Sequence, residues 1–238
     1  MRLAIYCILS FLIFSSCGYT NGKRIEGNGN ISTQERNTGN FTGVSASGSI
    51  DIIVMDGPAH SLKIETDENL MDYVEVKNNN GSIEVYTKEG YNLKPEKGIK
   101  VYATAPAFSR LEVSGSGKIK SNGKIKSEGL HTEVSGSGDI ILDIDAPEID
   151  AEIAGSGSAT LSGTTRDFSA SVSGSGDIRC FNLLSENTEI DIAGSGNAEV
   201  YASKSLDVDV AGAGNVRYKG NPSIKQNIAG AGSVRKAE

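Results

Sequence analysis

Carboxylates are the residues of this 238-residue sequence whose number and spacing most invite chemistry. Asp143 and Asp145, Asp150 and Glu152, Glu189 and Asp191, and Asp207 and Asp209 stand two apart, so each pair falls on one face of an extended strand. Stacked strands would turn such pairs into an acidic ladder that could collect Ca²⁺. They could equally pair with Arg179, Arg217, Lys126 or Lys204 on neighbouring strands, or simply keep an outer face soluble, which is the reading we adopt. A glycoside-hydrolase pair needs its carboxylates roughly 5–9 Å apart in a cleft; the distance is easily met, and nothing in the pattern announces the cleft. The other chemical candidates are fewer. His60 and His131 lie far apart in sequence without Cys or His partners, so a zinc site is not expected. The Ser residues neighbour no His, which leaves no nucleophilic triad to argue. Cys180 follows Ile178 by two and should face inward with it, as a small buried apolar group. We expect no catalytic residue, metal or cofactor.

Glycine sets the elements that must position these side chains. A Gly-Ser/Ala-Gly triplet recurs at Gly115–Gly117, Gly136–Gly138, Gly155–Gly157, Gly174–Gly176, Gly194–Gly196, Gly212–Gly214 and Gly230–Gly232, at intervals of 21, 19, 19, 20, 18 and 18 residues. A degenerate copy stands at Ser47-Gly48-Ser49. The triplets lack the strand–GxGxxG–helix setting of a dinucleotide site and the Gly-Lys-Ser/Thr of a P-loop. Calcium-binding β-rolls repeat every nine residues, not every nineteen. Short alternating segments flank each triplet, such as Ile149–Ile153 and Phe168–Val172 before it and Asp177–Cys180 and Asn215–Tyr218 after it. Period 2 gives each an apolar and a polar face, and constant spacing says that they stack.

The spacing therefore predicts an all-β solenoid, a single-stranded β-helix-like coil of about 19 residues per repeat, with parallel pairing between equivalent positions one repeat apart. The triplets form its corners, where glycine permits positive φ and keeps stacked turns from colliding. Asp139, Asp177, Asn197 and Asn215 follow the second glycine and are expected to bond the turn backbone; Lys118, Ser158 and Ser233 break that rule. Inward positions should include Val113, Ile153, Val172, Ile178, Cys180, Ile192, Val200, Val208, Val210 and Val216. Residues 31–238 read as one domain, because no linker separates the repeats from an irregular N-terminal capping element around 55–105. Within that element Asp67–Tyr73 reads as a helical turn and Lys88–Gly98 as a charged loop; Tyr86, Tyr91 and Tyr102 near it could supply an aromatic contact, but Tyr86 and Tyr102 read rather as core or rim residues of the element.

Composition limits the partners. The net charge is −7, from 23 basic and 30 acidic residues, which gives no basic footprint for nucleic acid. Gly is 29 of 238 with only 5 Pro, which excludes collagen, and 37% hydrophobic residues argue against wholesale disorder. Residues 1–16 carry Arg2 and then an apolar run from Leu3 to Phe14, too short to span a bilayer and suited to a secretory signal peptide. Ser15-Ser16-Cys17 behind that run resembles the lipobox of bacterial lipoproteins, with Phe14 departing from the aliphatic residue that pattern prefers. Cys17 would then be lipidated, and residues 17–30 read as anchor and flexible tether. Loss of Arg2 takes the mature charge to −8, so lipid rather than surface charge would hold the chain to a membrane.

Arg36–Ile50, Glu65–Leu70, Lys100–Pro106, the repeated Leu-Glu-Val-Ser-Gly-Ser-Gly of 111–117 and Val216–Pro222 together resemble the Gly-rich adhesin head, or GIN, domain of exported and lipid-anchored Bacteroidetes proteins. That resemblance covers about residues 31–234. It implies an all-β, right-handed stack and carries no catalytic residues. The signal and Ser15-Ser16-Cys17 point to lipid anchoring in the outer membrane, on the periplasmic or the cell-surface leaflet, and long flat strand faces with Ser, Thr, Asn and Asp suit polysaccharide or protein contacts. The competing expectation is a hydrolase or lyase acting on glycans, which β-helical scaffolds also support. For the anchor, the expected result is that a palmitate analogue labels the wild-type protein in cells and leaves Cys17→Ser unlabelled; equal labelling would remove the lipoprotein assignment.

Overall fold

The computed structural model describes residues 22–238, so the expected signal peptide and Cys17 lie outside the described residues. The described residues are all-β apart from one 3-10 turn, Glu68–Tyr73, on the segment expected to form it. It winds as a right-handed β-solenoid, the hand that parallel β crossovers adopt. Each coil is one repeat with two strands meeting at a glycine corner, so the continuous pairing of nineteen strands is bent into two faces. We call them sheet I, from the strands before the corners, and sheet II, from those after.

In sheet I, Arg110–Gly115 pairs in parallel with Leu130–Gly136, which pairs with Glu148–Gly155, and so on to Ser223–Gly230. Sheet II runs likewise from Lys118–Lys126 through Asp139–Asp145 to Ser233–Lys236. Equivalent positions align as expected: Val172 is the register partner of Ile153 on one side and of Ile192 on the other. All ten residues expected to face inward are buried. Burial of each Val or Ile is worth about 1.5–3 kcal/mol, and one continuous core runs from Phe41 to Val216.

The cap breaks chain order. Strands Gly43–Gly48 and Ile50–Asp56 form a rung against Arg110–Gly115 and Lys118–Lys126. The chain then moves outward to build Ser82–Thr87 and Ile99–Ala105 on the other side of that rung. Antiparallel strands close both sheets there: Val74–Asn79 on sheet I, Ser61–Asp67 followed by Ile31–Arg36 on sheet II. Two expectations need correction in this region. Lys23–Glu26, read as tether, is a strand paired in parallel with Tyr91–Lys94, and that strand occupies the segment read as a charged loop. Asp67 and Asn69 explain the folding of the tether. The fully buried Asp67 carboxylate accepts hydrogen bonds from the Gly29 and Glu96 amides (2.7 and 3.0 Å), and Asn69 exchanges bonds with the Glu26 carbonyl and the Asn28 amide. A buried carboxylate needs such donors, so these two side chains pin the entering chain to the cap.

Glycine at the corners is enforced by the rung above as well as by torsion. Gly136 has φ +121°, and a Cβ there would lie 2.7 Å from the Gly115 carbonyl oxygen. That oxygen accepts the Ser137 amide at 2.8 Å, so it cannot move away without loss of the bond. Gly136→Ala should therefore cost about 2–4 kcal/mol, from backbone strain and a steric clash together. Gly129→Ala, whose Cβ would meet nothing nearer than 4.0 Å, should stay within about 0.5 kcal/mol of wild type in the same urea titration. Similar costs for the two would contradict this account of the corner.

Candidate functional site

Parallel in-register stacking places each outward side chain about 4.8 Å from its counterparts on the adjacent rungs, so every repeat position becomes a column. On sheet I two neighbouring columns are acidic. One runs Arg110, His131, Asp150, Ser169, Glu189, Asp207, Lys225; beside it stand Glu112, Glu133, Glu152, Ser171, Asp191, Asp209, Asn227. Cations relieve its two ends, through Arg110–Glu112 at 2.6 Å and Lys225–Asp207 at 2.7 Å. Between them charge repulsion is felt. Asp191 has its pKa raised, by burial first and then by the charges of Asp209 and Asp207.

Sheet II is different. Its column after the corner reads Lys118, Asp139, Ser158, Asp177, Asn197, Asn215, Ser233. These side chains were expected to bond the turn backbone; only Asn215 does, to the Ala213 carbonyl at 3.4 Å. Mostly they bond one another along the solenoid: Lys118 to Asp139, Ser158 to Asp139, Asn197 to Asp177, Asn215 to Asn197, Ser233 to Asn215. The apparent exceptions to the rule are thus members of the ladder. The Ser158 hydroxyl, and then the Lys118 ammonium, hold the Asp139 carboxyl below its usual range. Further cations meet carboxylates one rung away, Arg217 with Glu199 and Lys204 with Glu186, while Arg179 pairs with Asp177 on its own strand and the Lys126 amide donates to Asp56.

The residues singled out for chemistry are distributed as follows. His131, which has no Cys or His partner, is met by carboxylates instead: its Nδ1 lies 2.7 Å from Asp150 Oδ2, and ligand atoms of Glu112, His131 and Glu133 fall within 4.8 Å of one another. Those of His131, Asp150 and Glu152 do so as well, so His131 is shared by two groups that could hold a metal ion. Cys180 is fully buried, and burial pushes its thiol up to about 12, which makes it inert. The three tyrosines do not form one surface. Tyr91 packs on Tyr73 in the cap, Tyr86 lies on sheet I beneath Lys77, and Tyr102 lies on sheet II.

Tyr102 leads to a feature that the sequence reading missed. The first interval between triplets is 21 residues, and the surplus emerges within Lys118–Lys126, where the register slips between Lys120 and Lys124. Ser121, still paired with Val54, and Asn122 after it border a recess of about 400 Å³ on sheet II, lined also by Asp51, Ile53, Lys100, Tyr102, Lys118 and Lys120. The long interval was the signal for it, since insertions in repeats surface as loops on one face.

A family model described as "Putative auto-transporter adhesin, head GIN domain" matches residues 40–222. The chain belongs to the GIN-domain family. Solved structures share the fold over nearly the whole chain. A "putative lipid binding protein" from Parabacteroides distasonis is 29% identical with a TM-score of 0.74, over 91% of this chain and 100% of that one. A "putative adhesin" from Bacteroides fragilis is 20% identical with a TM-score of 0.82, over 90% and 100%. Another from Parabacteroides distasonis is 24% identical with a TM-score of 0.73, over 90% and 100%. No curated protein matches the chain.

For this GIN-domain chain, the acidic columns of sheet I carry a pH signature. Because the Asp191 pKa is raised by folding, its contribution to stability is complete below the ordinary carboxylate range and is lost as pH rises through the raised value. Asp191→Asn removes that loss. The variant should therefore melt above wild type near neutral pH, with the gain vanishing in acid and shrinking in high salt. Equal melting temperatures at neutral pH and low salt would refute the repulsion.

Proposed function

We propose that this GIN-domain chain is an exported, lipid-anchored, non-enzymatic binding module of the cell envelope with an adhesin-like role. The observation that carries the reading is the disposition of the two faces on a rigid solenoid. Sheet I presents an acidic surface with an open recess of about 570 Å³ whose carboxylates, among them Asp150, Glu189 and Asp207, stand on successive rungs of one sheet, and sheet II a mixed surface with a smaller recess. The raised Asp191 and its neighbour Asp209 would be the pair for a glycan hydrolase, but they lie side by side in one column, with Ser171, Ala193 and Ala211 around them and no opposing wall. The relatives described as adhesins support the same reading, as does the relative described as lipid binding in so far as it too is a binding protein.

Anchoring gives the module a direction. The first described residues enter at the cap, where Lys23–Glu26 pairs with Tyr91–Lys94. Lipid on Cys17, only six residues before Lys23, would hold the cap close to the bilayer and project the repeats away from it. From Ile31–Arg36 to Ser233–Lys236 sheet II is about 50 Å long at the usual strand spacing, so the outer rungs would stand clear of lipid headgroups. The test is binding of residues 22–238 to glycan and matrix-protein arrays, with chromogenic polysaccharide turnover measured in parallel. Binding without turnover is the expected result. Turnover abolished by one Asp or Glu substitution would replace this reading with the enzymatic one.

A further inference from the structure

We propose that the sheet II recess beside Ser121–Gly123 is a binding site for a carboxylate-bearing saccharide, a uronic acid unit of an acidic polysaccharide. The inference rests on the reading of the chain as a binding module and assigns that module its ligand class. Three rungs build the site. Lys100, Asp51 and Lys118 are register partners, and so are Tyr102, Ile53 and Lys120. The second row makes a floor: the Tyr102 ring and the Ile53 side chain, extended on the next rung by the stem of Lys120 and then by Ile141, which is 42% exposed. A half-buried tyrosine beside aliphatic groups suits the apolar face of a pyranose ring.

The polar groups select the ring's substituents. Lys120 has apolar register neighbours on both sides, Ile53 and Ile141, and makes no ion pair among the described residues. Its ammonium is thus available for a carboxylate. Lys100 and Lys118 are already shared with Glu65 (3.4 Å) and Asp139 (3.2 Å). Asp51, Ser121 and Asn122 offer acceptors and donors to hydroxyls, and Asp51, between two lysines, disfavours a dianion. A peptide strand is disfavoured for a different reason. Ile50–Asp56 is paired on both edges, so no backbone edge is open for strand addition.

The full chain, purified in detergent, would be titrated with an oligogalacturonide, with the same oligomer after reduction of its carboxyls, and with inorganic phosphate. The uronide should bind and the reduced oligomer should bind at least about ten-fold more weakly. Lys120→Gln and Tyr102→Ala should each weaken uronide binding by about ten-fold, while Asp209→Asn on the opposite sheet leaves it unchanged. Lys120 is exposed, so its variant should melt as wild type does. Equal affinity for the reduced oligomer, displacement by phosphate at similar concentrations, or no detectable uronide binding would each overturn the assignment. Uronide binding that survives both recess substitutions would also overturn it, yet leave the binding-module reading in place. That reading is removed by the separate outcomes given for it, arrays without any ligand or polysaccharide turnover abolished by one Asp or Glu substitution.

Discussion

At every corner of the solenoid a glycine carbonyl accepts a hydrogen bond from the next corner's middle residue, and the rest of the structure depends on that contact. Ser137, Ser156, Ser175, Ser195, Ala213 and Ala231 each donate to the first glycine of the previous triplet at 2.8 Å. The bond from the residue after each triplet, such as the Asp139 amide to the Gly117 carbonyl, continues the ladder on the far side of the bend. The bonds require adjacent backbones to meet with nothing between them. A Cβ at either glycine of a triplet would fall inside 3.0 Å of the preceding rung. Two residues per repeat are thus committed to glycine, and in return the register is fixed to the residue. Once Gly136 sits on Gly115, Val134 must sit on Val113 and Glu133 on Glu112.

Fixed register has an electrostatic consequence. In a sheet of irregular connections a surface charge can choose its neighbours; here each charge inherits them from the repeats before and after. Where the repeats alternate in type, as from Lys118 to Asp139 to Ser158, the column becomes a hydrogen-bonded chain and the carboxyl is held in its ionised form. Where they do not alternate, as from Asp191 to Asp209, the same geometry works against ionisation. The two sheets thus differ in charge although they share one fold, one period and one core.

This also explains what could be read from the sequence. The coil, its parallel pairing and the inward residues followed from period and alternation alone, because Val172 could only face inward if Ile153 and Ile192 did. The turn at Glu68–Tyr73 followed from a local polar-capped pattern. The column bonds were not legible, because Asp139 looks like a turn-capping residue until the rung that supplies Ser158 is known to lie above it. The strand at Lys23–Glu26 was not legible either. Its composition is that of a linker, and it is ordered by Asp67 and Asn69 some forty residues later. His131 is the same case: its carboxylate neighbours Glu112 and Asp150 are each one repeat away.

Strict repetition also limits what a solenoid can recognise. A column that reads alike on every rung offers a ligand many equivalent positions and no unique one, which suits extended contact more than a defined pocket. A single site requires a departure from the period. In the repeats the longest departure is the 21-residue interval, whose surplus slips the register between Lys120 and Lys124 beside Ile53 and Tyr102; a smaller slip falls between Thr160 and Ser162. The longer one stands on the first full rung above the cap, where the rigid antiparallel closure lies on one side and the regular stack on the other. An irregular segment there is held by both, so its side chains keep their positions without the help of a ligand, and the cost of ordering on binding is correspondingly small.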